Sequence, residues 1–219
     1  MPVEISMAHP AHIAADVLCY PNTSFGYLTT SVLGRMLVTT GGPRVEQSIV
    51  GKRPLRMGSA VVGHPGRLPY RYLIHYVLYP GFDRRWHPVM AEQALRSAVK
   101  LAHIADAKAG VMMLPVHPPV DPRLWPAICA VTYRTLKDDA IDWTVLIGNS
   151  QVLAVWENTV TTVAEATSIP LEEDVDASGL EEAVMIEPPK PVLKPAAKAK
   201  KADAPRESKT IGRPKKHVG

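Results

Sequence analysis

The chain of 219 residues contains 25 Lys and Arg, 21 Asp and Glu and two cysteines, and its formal net charge is +4. Two cysteines are too few for a disulfide framework, and we expect Cys19 and Cys129, which lie in apolar stretches, to be buried and reduced. No apolar run approaches the ~18 residues of a membrane span and the N-terminus has no signal pattern, so we predict a soluble, cytoplasmic protein without membrane contact.

Predicted strands and helices alternate over most of the chain. Short apolar runs predict buried strands, and longer segments with helical apolar spacing predict helices. The predicted strands are residues 16–20, 59–63, 72–79, 111–114 and 143–148, and the predicted helices are 87–110, 125–137 and 149–166. The Gly- and Pro-rich turn before residue 72 predicts a hairpin-like connection, and Gly110 is predicted to cap the long helix. This order predicts an α/β fold with a mixed, largely parallel sheet between two helical layers.

From the end of the last predicted helix onward, acidic and basic residues are separated into two blocks. Residues 165–186 contain seven acids and no base, whereas residues 187–219 contain ten bases and three acids. Such a segment is rich in Pro, Ala, Glu and Lys and cannot bury enough apolar surface to fold. We therefore predict a folded domain over 1–167, an acidic linker over 168–187 and a disordered basic tail over 188–219.

The tail ends in "GRPKK", which resembles the core of an AT-hook. Glycine lets the backbone approach the floor of the DNA minor groove, proline holds the strand extended, and arginine enters a narrow, electronegative groove. Fuller hooks have another basic residue before the glycine, where this chain has Thr210-Ile211. The predicted DNA-binding residues are Lys198, Lys200, Lys201, Gly212, Arg213, Pro214, Lys215 and Lys216.

Two stretches of the folded part resemble the macro domain family. The first is "ADVLCYPNTSFG" (15–26), followed by a helix ending in "TTGGP", and the second is "GSAVVGHPGRLPYRYLIHYV" (58–77). In the second stretch Gly58, Leu68-Pro69 and His75 fall at the family's spacing. The resemblance covers roughly residues 1–165 and implies a three-layer α/β/α fold. In typical members this fold has a cleft for ADP-ribose.

The ligand loops depart from the family pattern. One asparagine remains after the first strand, and the glycine-rich stretch is reduced to a single glycine, although consecutive glycines let a backbone approach a phosphate. The second loop, residues 115–122, contains four prolines, which remove N–H donors that a diphosphate needs. The resemblance nevertheless implies a set of ligand-binding candidates, among which an acid near the N-terminus would contact adenine. These candidates are Glu4, Tyr20, Asn22, Thr23, Gly26, Val116, His117 and Asp121.

Few other residues indicate chemistry. We expect His75 to be a core histidine hydrogen-bonded to a neighbouring strand or loop. His117 and Asp121 could form an acid–base pair at a strand end, but a proline-rigidified loop with incidental polar residues is the preferred interpretation. No converging ligands accompany His9 and His12, so neither a metal nor a cofactor is predicted. The stretch 84–86, Arg-Arg-Trp, is interpreted as an exposed loop rather than a nucleic-acid contact.

The leading hypothesis is a non-catalytic macro-like binding module that its basic tail tethers to DNA, with a protein partner or a weakly bound nucleotide at the folded part. The first alternative is an ADP-ribose reader or, if the protein is an enzyme, an ADP-ribosyl hydrolase that uses Asn22, Gly26 and the 115–122 loop. The second is a structural or assembly protein whose tail condenses nucleic acid. The expected location is the cytoplasm, in association with the nucleoid or other DNA.

Overall fold

A six-stranded sheet organises the molecule, whose computed structural model describes residues 3–80, 88–115 and 120–168. The sheet has the order β1-β6-β5-β2-β4-β3. All neighbouring pairs are parallel except β3 with β4, which form an antiparallel pair. The predicted mixed, largely parallel sheet and the hairpin are therefore confirmed. The strands are β1 Glu4–Ser6, β2 Val17–Thr23, β3 Ala60–Gly63, β4 Tyr72–Tyr79, β5 Ala109–Met113 and β6 Asp142–Leu146.

Helices cover both faces of this sheet. Alternate residues of β2 face opposite sides, as a strand requires: Val17 and Cys19 pack into the core under α3, α4 and α5, and Leu18 and Tyr20 pack into the core under α1 and α2. The predicted three-layer α/β/α architecture is thus confirmed. The helices are α1 Val32–Gly41, α2 Arg44–Val50, α3 Pro88–Ile104, α4 Trp125–Leu136 and α5 Ser150–Ser168.

Two predicted boundaries are wrong. The long helix α3 begins at Pro88 as predicted but ends at Ile104, and Gly110 lies inside β5 instead of capping the helix. A Cβ atom at position 110 would lie 2.4 Å from the ring of Trp143 on the neighbouring strand, so the glycine is required by close packing within the sheet. The first predicted strand, residues 16–20, corresponds to β2, and it continues to Thr23 because residues 21–23 pair with β4 instead of forming a loop.

Asp16, the residue before β2, aligns the amino ends of three strands. Its Oδ2 atom accepts hydrogen bonds from the backbone N–H groups of Lys108 (2.7 Å) and Ala109 (3.2 Å), at the start of β5. Arg71, at the start of β4, lies 3.6 Å from Oδ1. These backbone hydrogen bonds and the nearby guanidinium hold the pKa of Asp16 below its usual range. Because the starts of the strands are aligned, their carboxyl ends meet at one edge of the sheet.

Both cysteines are buried and unpaired, as predicted, and burial raises the pKa of Cys129 to about 12. Of the helices that the structure describes, none is both long enough and apolar enough to cross a membrane. The segment 84–86, the acidic linker from residue 169 onward and the basic tail lie outside the described residues. The domain boundary at residue 167 stays a prediction.

Candidate functional site

A cleft lies at the carboxyl ends of β2, β4 and β5, between these strands and the amino end of α1. Open α/β sheets bind ligands at such strand ends. Three of the predicted ligand-binding residues line it together: Tyr20, Asn22 and Thr23. The complete lining among the described residues is Tyr20, Pro21, Asn22, Thr23, Tyr27, Thr30, Ser31, Leu33, Tyr79 and Pro115.

Tyrosine side chains fill most of this cleft. Tyr20 is 4% exposed, and its hydroxyl lies 2.7 Å from Oγ of Ser31, the residue that caps α1. Tyr79 is 6% exposed, and its hydroxyl donates to the carbonyl oxygen of Pro115 at 3.5 Å. The cavity that remains between the described residues is about 40 Å³. A single water needs roughly 10–15 Å³ and a typical ligand pocket has about 300–1,000 Å³, so this cavity has room for a few waters.

A buried Asn–His pair fixes the end of β2. Oδ1 of Asn22 accepts the backbone N–H of Thr23 at 2.8 Å, which leaves the amide nitrogen facing Nδ1 of His75 at 3.2 Å. Since an amide nitrogen only donates, Nδ1 is the acceptor and the ring proton of neutral His75 lies on Nε2. Burial, with a contribution from the charge of Lys52, lowers the pKa of His75 to about 3. His75 is therefore a neutral core residue, as predicted, that positions Asn22.

The imidazole of His75 is only half satisfied. Nε2 has no hydrogen-bond partner in the part of the chain that the structure describes, although the ring is completely buried. Gly63 on β3 lies directly against it, because a Cβ atom there would be 2.7 Å from Nε2 and 2.9 Å from Oγ of Ser48. A side chain at position 63 would thus collide with the imidazole, and the glycine is required by the close approach of β3 to His75.

The loop between β2 and α1 directs backbone donors away from the cleft. The N–H groups of Leu28 and Thr29 donate to Oε2 of Glu46 on α2, at 2.8 Å and 3.0 Å. Gly26 has φ of +65°, and a Cβ atom there would lie 3.1 Å from Ile49, so the glycine lets the loop fold down onto α2. Gly26 does not line the cleft. A carboxylate of the protein therefore occupies two N–H groups of the kind that bind phosphate oxygens.

Arg53 holds the same loop from the other side. Its Nη2 atom donates to the carbonyl oxygen of Gly26 at 3.1 Å, and its guanidinium carbon lies 3.9 Å above the centre of the Tyr27 ring. Arg53 also lies 4.0 Å from Oε1 of Glu46, and the side chains of both residues are largely buried. The cation–π contact and the ion pair therefore hold Tyr27, which forms one wall of the cleft, in a fixed position.

Glu4 and Asp121, two further predicted ligand-binding residues, do not line the cleft. Glu4 is at the amino end of β1, in a depression with Asp142, so the structure does not bring it to the cleft at the carboxyl ends of the strands. Asp121 is exposed, and its side chain accepts the N–H of Arg123 as the cap of a short 3-10 helix. Val116 and His117 lie outside the described residues, so the predicted pairing of His117 with Asp121 stays a prediction.

The described part of the cleft lining is uncharged. Among the described lining residues there is no carboxylate, histidine, lysine or arginine. The described residues also contain no group of three or more His, Cys, Asp or Glu side chains placed to hold a metal ion. The sequence analysis missed Ser31, Tyr79 and Glu46. A serine directly before an apolar run was a usable signal for the first, because it is a typical helix cap.

The arrangement of layers, strand order and cleft is that of the macrodomain fold. Similar solved structures include the Oceanobacillus iheyensis macrodomain with ADP, with a TM-score of 0.62 and 15% identity over 74% of this chain and 91% of that one. The Trypanosoma brucei macrodomain in complex with ADP-ribose has a TM-score of 0.61 and 14% identity over 72% of this chain and 68% of that one.

The macrodomain of Thermus aquaticus DarG is also similar, with a TM-score of 0.56 and 14% identity over 67% of this chain and 98% of that one. No protein-family model matches the sequence, and no curated protein matches it. At these identities the similarity establishes the fold.

Proposed function

We propose that the protein is a non-catalytic binding module of the macrodomain fold that its basic C-terminal tail holds on DNA. The observation that carries the non-catalytic part is the lining of the cleft. General acid–base and nucleophilic catalysis need a side chain that exchanges protons or attacks near neutral pH. The described lining offers tyrosines, hydroxyls and the amide of Asn22, whose hydrogen bonds to Thr23 and His75 are already made.

The cleft is suited to a small neutral group. Tyr20 and Tyr79 occupy much of its volume, and Glu46 occupies the N–H groups of Leu28 and Thr29. A diphosphate would have to displace that carboxylate or find donors elsewhere. We therefore expect ADP-ribose to bind weakly or not at all.

The second candidate function is an ADP-ribose reader or ADP-ribosyl hydrolase. The observation that favours it is the presence of ADP in the Oceanobacillus iheyensis macrodomain and of ADP-ribose in that of Trypanosoma brucei, both with the same fold as this chain. Asn22 at the end of β2 would then contact the ligand.

Calorimetric titration with ADP-ribose separates the two candidates. The non-catalytic module predicts no binding tighter than about 100 μM, that is, less than roughly 6 kcal/mol of binding free energy. Micromolar binding that Asn22→Ala weakens and the exposed Asn158→Ala on α5 leaves unchanged would favour the reader. Release of ADP-ribose from a modified protein substrate would identify the hydrolase.

The DNA-binding part of the proposal is supported by the composition of the tail. Residues 187–219 contain ten Lys and Arg and three acids, and they include the "GRPKK" stretch. Neutralisation of phosphates by such residues makes binding sensitive to salt and largely independent of sequence.

Deletion of residues 187–219 tests the tail. We expect the affinity for duplex DNA at about 100 mM salt to fall at least about tenfold, because most phosphate contacts are removed. Gel-shift titration of the full and shortened chains measures it. An unchanged affinity for the duplex would refute the tether. A full-length variant with Arg213→Ala tests the hook within the tail, and an affinity loss limited to A·T-rich duplexes would show minor-groove contact.

A further inference from the structure

The two helical layers of the domain differ in charge. From residue 17 to residue 80, which includes α1, α2 and the β3–β4 hairpin, the sequence contains seven Lys and Arg and a single acid, Glu46. The described residues 88–115 and 120–163, which include α3, α4 and α5, contain six Lys and Arg and seven acids. The excess positive charge of the described residues therefore lies in the segment that contains α1, α2 and the hairpin.

Exposed basic residues of this segment lie at both ends of α2. Arg44 is its first residue and Lys52 follows its end, so the two lie at opposite ends of a helix about 10 Å long. The guanidinium of Arg67 is 4.0 Å from the position of a Cβ atom at Gly42, which places it beside the start of α2. The basic face is defined as the exposed residues Arg35, Arg44, Lys52 and Arg67.

Within residues 3–80, 88–115 and 120–168, no carboxylate pairs with the basic face. None of its four side chains forms an ion pair among the described residues. The single acid of this region, Glu46, accepts the N–H groups of Leu28 and Thr29 and lies beside Arg53. An anion with several charges would complement this surface.

Two aromatic side chains adjoin the basic face. Phe25 and Tyr27 are each 40% exposed, on the loop that the Arg53 guanidinium supports. Arg35, on the first turn of α1, donates to the carbonyl oxygen of Thr29 in the same loop at 3.2 Å. Guanidinium groups that pair with phosphates, next to exposed aromatic rings that stack on bases, form the combination by which proteins bind single strands.

We propose that the basic face of α1 and α2 binds a single nucleic-acid strand, with phosphates on Arg44, Lys52 and Arg67 and a base against Tyr27. This interface goes beyond the proposed function because it lies on the folded domain and requires neither the tail nor a ligand in the cleft. Several phosphates of a strand fit along α2, since phosphates repeat about every 3.4 Å along one strand of a duplex and somewhat further apart when the strand is extended.

Fluorescence anisotropy with a labelled single strand of about 16 nucleotides tests the proposal. The protein is the chain ending at Ser168, which keeps every strand and both hydrophobic cores and lacks the tail. The variant R44E/K52E/R67E should bind at least about tenfold more weakly at about 50 mM salt, and the dependence of log K on log salt should be reduced by about 2.

The matched control is K100E/R123E/R134E, which changes net charge equally but on exposed residues of the opposite side; its affinity should stay within about twofold of the parent. The affinity of the neutral variant R44Q/K52Q/R67Q should fall about threefold or more. This variant replaces R44E/K52E/R67E in the test if thermal unfolding shows R44E/K52E/R67E to be misfolded. Tyr27→Ala should weaken binding without changing the salt dependence.

Three outcomes would overturn the proposal: no binding by the chain ending at Ser168, equal losses in the two triple variants, or binding to phosphatidylserine vesicles with none to the oligonucleotide. Because the tail is tested with duplex DNA in the full-length chain, failure of the tether and failure of the basic face give different results.

Discussion

His75 illustrates how one buried side chain sets the geometry of the cleft. Its Nδ1 atom accepts from the amide nitrogen of Asn22, and the oxygen of the same amide accepts the N–H of Thr23. This chain of bonds is possible only while the imidazole is neutral, because a protonated Nδ1 would face the amide nitrogen as a second donor. The shape of the end of β2 therefore depends on the protonation of a residue that does not touch solvent.

The first prediction concerns this protonation. The pKa of His75 is about 3 in the folded protein against 6.5 for an ordinary histidine. Below pH 6.5 the unfolded chain binds a proton that the folded chain excludes, so the free energy of unfolding should decrease as the pH falls from 6.5 toward 3. At about 1.4 kcal/mol per pH unit, the loss between pH 6.5 and 4.5 should reach about 2–3 kcal/mol.

Urea unfolding at several pH values measures this loss. In His75→Gln the free energy of unfolding should be lower at pH 7 but should vary less between pH 6.5 and 4.5. The control His12→Gln removes an exposed histidine and should keep the pH dependence of the parent. A pH dependence that persists unchanged in His75→Gln would assign it to other groups. Asp16, whose pKa is lowered, contributes in a lower pH window, since its stabilisation is present above its unfolded pKa and is lost as the pH falls through its folded pKa.

At the scale of elements, the loop between β2 and α1 is organised by α2. Glu46 accepts hydrogen bonds from the N–H groups of Leu28 and Thr29, and Arg53 donates one to the carbonyl oxygen of Gly26. The Glu46 contacts replace those that a bound anion could make to the same backbone N–H groups. The loop is therefore complete without a ligand, and α2 acts as its permanent partner.

Replacing Glu46 should destabilise this loop. Glu46→Ala leaves two backbone N–H groups without their acceptor, and we expect the free energy of unfolding to fall by about 1–3 kcal/mol. Glu46→Gln keeps one acceptor oxygen and should lose less. The control Glu157→Ala changes an exposed side chain of α5 and should stay within about 0.5 kcal/mol of the parent. Chemical denaturation measures the three variants, and equal stabilities of Glu46→Ala and the parent would contradict this role.

At the scale of the whole molecule, the sequence was sufficient for the architecture. Alternating apolar runs and helical spacings predicted the parallel sheet and its layers, because these patterns reflect burial directly. The end of α3 was missed, since Gly110 is explained by the ring of Trp143, a residue 33 positions later on another strand. A glycine required by tertiary packing cannot be distinguished in one sequence from a glycine that caps a helix.

The cleft was predictable only in part. Tyr20, Asn22 and Thr23 lie at the end of the predicted strand 16–20 or shortly after it, and their place at the strand ends follows from the order of the elements. The orientation of the next loop could not be predicted, because it depends on Glu46 from a helix about 20 residues later. Local sequence indicates which residues are near a site, and long-range hydrogen bonds decide which way their backbone donors point.

Tyr27 is shared by two surfaces. It forms a wall of the cleft and, under the Arg53 guanidinium, part of the border of the basic face. If binding at one surface moves this ring, the affinity of the other surface changes. Thermodynamic reciprocity requires each ligand to change the affinity for the other by the same factor. A strand bound along α2 would thus change the affinity of the cleft for its ligand. A compound that fills the cleft would change the affinity for nucleic acid without contacting it.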